Sequence, residues 1–119
     1  MKRTVVLGAS PNPGRYAYIA TLKLHTYGHE VFPVGIKEGT IKGIKILTGN
    51  PPIDDVDTIT LYIGSRNLPA WYDYIFSLHP KRIIFNPGTE DDRLFKQAEA
   101  KGIEALEACT LIMLSVGNY

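Results

Sequence analysis

The sequence predicts an α/β domain, a doubly wound and mainly parallel five-stranded sheet between two layers of helices. Three observations carry this. Short β-branched apolar runs alternate with helix-length stretches along the chain. The runs are continuously apolar rather than alternating, as strands buried on both faces are. Loops rich in Gly, Pro and Asn punctuate the junctions. Such alternation implies βαβ units with right-handed crossovers.

The first strand is Thr4 to Leu7, and Pro11, Pro13 and Gly14 mark the loop after it. A helix is expected over Tyr16 to Tyr27, with Gly28 as its stop. Val31 to Val34 is the second strand, and Pro33 within it points to an edge or a strand end. Gly35 to Gly49 reads as a loop with little helix, with a short strand at Ile44 to Leu47. Pro51-Pro52 and the acidic cluster Asp54, Asp55 and Asp57 make a turn. Thr58 to Ile63 is the third strand, and Leu68 to Leu78 a helix ended by His79-Pro80. Arg82 to Phe85 is the fourth strand. Thr89 is the expected N-cap of a helix whose first turn carries Glu90, Asp91 and Asp92, and Gly102 stops it. Ile103 to Leu106 is the fifth strand, and Cys109 to Leu114 fits either a short helix or a strand. The whole is a small Rossmann-like, three-layer αβα domain over residues 1–119, with expected strand order 3-2-1-4-5. Ligand is expected at the carboxyl ends of strands one, three and four.

Composition narrows the class. With 119 residues the chain is long enough for one domain with a real core. It is 45% hydrophobic and 21% charged, with 13 basic and 12 acidic residues and net charge +1. That balance offers no electrostatic case for nucleic acid or an anionic membrane. No apolar run reaches the roughly 18 residues of a membrane span. The early start of the first strand leaves no room for a signal peptide, and the one cysteine, Cys109, has no intramolecular partner. A cytoplasmic protein is expected.

The first loop is the centre of interest. In a doubly wound sheet it lies at the carboxyl end of a strand, where such folds bind ligands. The helix after it offers free backbone N–H groups and a positive dipole end, which suits a phosphate. The dinucleotide pattern G-x-G-x-x-G starting at Gly8 would need Gly at positions 10 and 13, which are Ser10 and Pro13. It also wants an acid at the end of the second strand to bond a ribose hydroxyl, and Lys37 stands in that region. A lysine favours a phosphorylated ribose. NAD is therefore disfavoured, while NADP and coenzyme A remain open.

Gly8-Ala9-Ser10, followed by Pro13 and Arg15, resembles the glycine-alanine-serine loop of the small CoA-binding domain proteins. These are similar to the CoA-binding domain of the succinyl-CoA synthetase α-subunit. The similarity continues through Val31-Phe32-Pro33-Val34, Asn86-Pro87-Gly88-Thr89-Glu90 and Cys109-Thr110-Leu111-Ile112-Met113-Leu114, and so spans nearly the whole chain. The resemblance implies coenzyme A lying across the carboxyl edge of a Rossmann sheet. Gly8, Ala9 and Ser10 would line the pyrophosphate, and Arg15 and Lys37 would meet phosphates. Gly64, Ser65 and Arg66 would border the ligand, as would Asn86, Pro87 and Gly88. Ligase activity does not carry over, because His25, His29 and His79 sit in nothing resembling a phosphohistidine loop.

No metal spacing is present, and no catalytic constellation is evident. A buried thiol is expected at Cys109, since no cation adjoins it in sequence. The expectation is a binding or regulatory module for coenzyme A or an acyl-CoA, acting as a sensor or as one half of a larger complex. One alternative is an NADP-dependent oxidoreductase or other nucleotide-using enzyme, with Tyr62, Ser65 or Cys109 in the crevice. Another is a protein-interaction module with a vestigial pocket. Trp71, Tyr72 and Tyr74 give one helix an aromatic side, and any part left exposed would serve a homodimer or another protein partner.

Overall fold

The computed structural model describes Met1–Tyr119. Five strands form the main sheet: β1 (Arg3–Leu7), β2 (Glu30–Val34), β5 (Thr58–Leu61), β6 (Arg82–Phe85) and β7 (Glu104–Glu107). All pair in parallel, in the order β2-β1-β5-β6-β7. Counted along the chain that is 2-1-3-4-5, not the expected 3-2-1-4-5. The physical reason lies in residues 35–57. They form a small hairpin of β3 (Thr40–Ile41) and β4 (Ile44–Lys45), and the chain then returns along the outer edge of β2. There Leu47 donates to the Pro33 carbonyl at 2.8 Å and accepts from Gly35 at 3.0 Å. The outer edge of β2 is thereby occupied, and β5 pairs with β1 on its other side. Pro33 fits because its carbonyl, and with it the position of the missing N–H, faces this outer edge rather than β1.

Helices cover both faces. α1 (Tyr16–Thr26) and α4 (Thr110–Val116) lie on one; α2 (Tyr72–Ser77) and α3 (Asp92–Ala100) lie on the other. A 3-10 turn, Leu68–Trp71, opens the expected Leu68–Leu78 helix, with Pro69 in its first turn. α1 ends where expected: Gly28, at φ 89°, donates to the His25 carbonyl, and His29 to that of Leu24. The N-cap of α3 is Asp91 rather than Thr89. Asp91 Oδ1 accepts from the Leu94 amide at 3.0 Å, while the buried Thr89 hydroxyl donates to the Asn86 carbonyl at 2.8 Å.

The two faces differ in chemistry. Val5, Leu7, Ile59, Leu61, Ile83 and Phe85 point to the α2/α3 side and join Ile75, Leu94 and Ala98 in a fifteen-residue apolar cluster. Their strand neighbours point the other way and are largely polar, with Thr4, Thr58, Thr60, Arg82 and Asn86 all buried. The apolar cluster there has four members: Val6, Ala17, Leu24 and Leu114. Hydrogen bonds fill the difference. Arg82 donates from Nε to Thr58 Oγ1 at 2.9 Å and from Nη1 to the Tyr119 carbonyl at 2.7 Å. Its guanidinium lies 4.5 Å over the Tyr119 ring, and the Tyr119 hydroxyl pairs with Thr4 Oγ1 at 2.7 Å.

His29 belongs to the same corner. Its Nδ1 accepts from the Lys2 amide at 3.1 Å, and its ring meets Tyr119 edge-on at 4.8 Å. Burial, then the N-terminal amine, Lys2 and Arg82, hold its pKa below the ordinary 6.5, with Asp57 opposing. The unfolded chain thus binds the proton more readily than the folded one. The contribution is fully present above pH 6.5 and is lost as pH falls through the lower folded value. Urea midpoints should therefore fall more between pH 7.5 and pH 5 in the wild type than in His29→Gln. Equal slopes would show that His29 does not titrate differently on folding.

Candidate functional site

The order of the sheet reverses between β1 and β5, so the crevice of a doubly wound fold opens at their carboxyl ends. Two glycines let the chain close up there. Gly8 has φ 100°, and a Cβ on it would lie 2.8 Å from the Tyr62 carbonyl carbon and oxygen and 2.9 Å from Ile63 Cγ1. A Cβ on Gly35 would run into the Ala9 carbonyl. The ends of β1, β2 and β5 are thus in backbone contact.

The loop after β1 is folded by its own side chains. Ser10 Oγ accepts from the Asn12 amide at 3.1 Å, and Asn12 Oδ1 from the Gly14 amide at 2.9 Å. The amides of Gly8 and Ala9 both donate to the Val34 carbonyl at 2.9 Å. These two are spent on the sheet and have no proton left for a pyrophosphate. The amides of Ser10, Tyr16 and Ala17 have no acceptor in the chain. α1 has no capping side chain and no acid in its first turn, and exposed Arg15 stands at its N-cap. An uncapped helix start beside a cation is suited to an anion.

Lys37 and Arg66 are exposed on the same edge, in the loops after β2 and β5. Gly64, Ser65 and Arg66 form the turn in which the Gly64 carbonyl accepts from Asn67 and Leu68. Pro13, Pro87 and Gly88 are exposed.

Asn86 is different. It is buried, and every polar atom of its side chain is used: Nδ2 donates to Thr60 Oγ1 at 2.7 Å and to the Leu61 carbonyl at 2.8 Å, and Oδ1 accepts from the Thr110 amide at 2.9 Å. Thr60 and Thr110 close the network at 2.7 Å between hydroxyls. Asn86 therefore ties β5, β6 and the start of α4 together beneath the site. Thr60, Asn12 and the bonding role of Thr110 escaped the sequence reading. Only Asn12, within a Ser-x-Asn-x-Gly stretch, carried a local signal of its turn role.

Cys109, the N-cap residue of α4, is half-buried and lies beside Tyr62. Burial first, then the neighbouring thiol, pushes the Tyr62 hydroxyl up to about 12. It stays protonated at neutral pH and can give a hydrogen bond but not take a proton as a base.

A parallel doubly wound sheet, with a bare helix start and a ring of loops collected on its carboxyl edge, defines an α/β domain of the Rossmann-like class. Residues 2–115 match the profile of the CoA binding domain family, and the chain belongs to that family. Among solved structures, an uncharacterized protein is 50% identical, with 100% of this chain and 98% of that one covered and a TM-score of 0.97. A conserved hypothetical protein from Pyrococcus furiosus is 25% identical over 94% of this chain and 98% of its own, at TM-score 0.80. A dinucleotide-forming acetyl-coenzyme A synthetase 1 from Ca. Korarchaeum cryptofilum, in complex with phosphate and ADP, shares the fold at 19% identity. The match covers 90% of this chain and 25% of that one, at TM-score 0.72. No curated protein matches the chain. No helix is long and apolar enough to cross a membrane.

Proposed function

We propose that the chain binds the nucleotide half of coenzyme A or an acyl-CoA at the carboxyl edge of its sheet, as a binding module rather than an enzyme. The observation that carries this is the start of α1: unpaired amides at Ser10, Tyr16 and Ala17, no acid in the first turn, and Arg15 alongside, in a chain of the CoA binding domain family. These amides, rather than those of Gly8 and Ala9, would hold the pyrophosphate. Arg15 and Lys37 would be the cations that meet phosphates, Lys37 standing past β2 where a ribose phosphate would lie, and Arg66 would border the ligand on the same edge. Asn86 supports the site from below. Family membership favours coenzyme A over NADP. The unpaired Cys109 suits a reducing compartment, in line with a cytoplasmic protein.

The test is thermal unfolding with coenzyme A, acetyl-CoA, ADP and NADP at equal concentration. A ligand at ~100 times its Kd stabilises by about 2.7 kcal/mol, a rise of roughly 10 °C for a domain of this size. The coenzyme A compounds should raise the melting temperature most. Arg15→Ala should cost about tenfold in affinity by removing one charged phosphate contact, ~1.4 kcal/mol. A flat response to both coenzyme A compounds, or a larger one to NADP, would overturn the reading.

A further inference from the structure

The surface of α1 and α4 carries a feature that the ligand reading leaves unused. Seven large apolar side chains are well exposed in the whole chain, and five of them lie on this helix pair. They are Tyr16, Ile19, Tyr27, Ile112 and Val116, each between 41% and 71% exposed. On α1 and its cap the spacing 16, 19, 23, 27 makes one stripe, and on α4 the pair 112 and 116 makes another. The stripes are adjacent, because Lys23 Nζ reaches Ser115 Oγ at 3.4 Å between them. The inner face of α1 buries Ala17, Ala20, Thr21 and Leu24, so apolar side chains lie on its outer face as well as its inner one, with Lys23, His25 and Thr26 as the polar residues of its last turns. A helix with apolar side chains on its outer face as well as its inner one gains by having that outer face covered too. The aromatic side anticipated on α2 is not comparable: Tyr72 and Tyr74 are buried and Trp71 is half-buried.

We propose that the α1/α4 face is the seat of a second copy of this chain, related by a two-fold axis. Area favours this. The five side chains together expose on the order of 600 Å², at the upper end of the patches monomers carry and most of the ~800 Å² per partner of a standard interface. Charge favours a like partner over an unlike one. Neither helix has an acidic residue; Lys23, between the two stripes and reaching Ser115, is the one permanently charged side chain within either, and exposed Arg15 stands at the edge, at the α1 N-cap beside Tyr16. The opposite layer carries Asp73, Asp92, Arg93, Lys96 and Glu99. A face with almost no charge has nothing to match on a charged partner and little to repel its own copy; homodimer interfaces are apolar and charge-depleted in this way. Two neighbouring helices set against their two-fold mates also give a four-helix layer that ridge-into-groove packing can fill. The inference stands independently of which nucleotide the chain binds.

Sedimentation equilibrium of the full chain, run from ~1 to ~100 μM, the range in which an interface of ordinary strength forms, reads the result. Wild type should weigh twice 13.2 kDa at the upper end. Ile19→Glu/Ile112→Glu should weigh 13.2 kDa throughout with its helical circular dichroism retained. Should that pair disturb folding, Ile112→Arg alone, at a mostly exposed side chain, should still weaken association at least tenfold. Lys96→Glu on α3 should leave the dimer intact. A wild type that stays at 13.2 kDa overturns the proposal. So does a doubled mass that survives both α1/α4 variants.

Discussion

Asn86→Ala is expected to lower unfolding stability by about 3 kcal/mol and the melting temperature by roughly 10 °C or more, one of the larger effects a single polar residue has in a small domain. The size follows from what the side chain holds. It gives two hydrogen bonds and takes one, all from a buried position, and alanine replaces none of them. The Thr110 amide and the Leu61 carbonyl lose a partner in a place water does not reach. Thr60 is less affected, since its hydroxyl keeps Thr110 Oγ1. Asn86→Asp sharpens the test. The carboxylate still accepts from the Thr110 amide but has no proton for the Leu61 carbonyl, and its charge is buried, so it should do no better than alanine at neutral pH. Urea melts of the two variants decide the matter. An alanine variant within about 0.5 kcal/mol of wild type would mean that the network is incidental.

Gly8→Ala is expected to be as damaging, with a loss of roughly 3–5 kcal/mol. Two costs act together. An L-residue at φ 100° stores about 1–3 kcal/mol of strain. Its Cβ would also sit 2.8 Å from the main chain at Tyr62, and overpacking against a backbone that cannot rotate aside costs about 1–3 kcal/mol more. Relief would come only by separating the ends of β1 and β5, so any response to coenzyme A should vanish with the stability. Gly64→Ala, two residues beyond Tyr62, is the control. A Cβ there meets nothing within 4 Å and its φ is not in the left-handed region, so the change should stay within about 0.5 kcal/mol. If both variants unfold at the same denaturant concentration, the close approach at Gly8 is not what the chain depends on.

Much of the fold was legible because its signals are local. β1 and β6 are continuous apolar runs, and Gly28 stops α1 through its own backbone freedom. What escaped depends on distant partners. The strand order turns on Leu47, whose pairing with β2 across a helix-free stretch has no sequence signature. Thr89 and Asp91 are both good capping types. Asp91 won because the Asn86 carbonyl, three residues back, claims the Thr89 hydroxyl. Thr110 to Val116 is an apolar run too short for its period to tell helix from strand. Burial of Met113 and Leu114 and the Gly117 cap, at φ 82°, settle it as a helix. In the site, the loop glycines could be read as turn-formers. That Gly8 and Ala9 turn their amides to Val34, and that Asn86 reaches residues 24 to 26 positions away, could not.

The unequal faces of the sheet bear on how the molecule breathes. On the α2/α3 side a fifteen-residue apolar cluster makes separation costly everywhere at once. On the α1/α4 side the apolar cluster has four members, with Ile84, Ala20 and Met113 buried beside it, and much of the seal is a set of directional bonds through Thr4, Thr58, Thr60, Arg82 and Asn86. If that layer lifts, water can satisfy the groups it uncovers, so partial opening is cheaper there than on the other face. This lighter layer includes both the start of α1 and the start of α4, the two helix ends that border the candidate ligand edge. Local opening would therefore be concentrated where ligand is expected to act, and a second copy seated on α1 and α4 would clamp the side that apolar burial holds least.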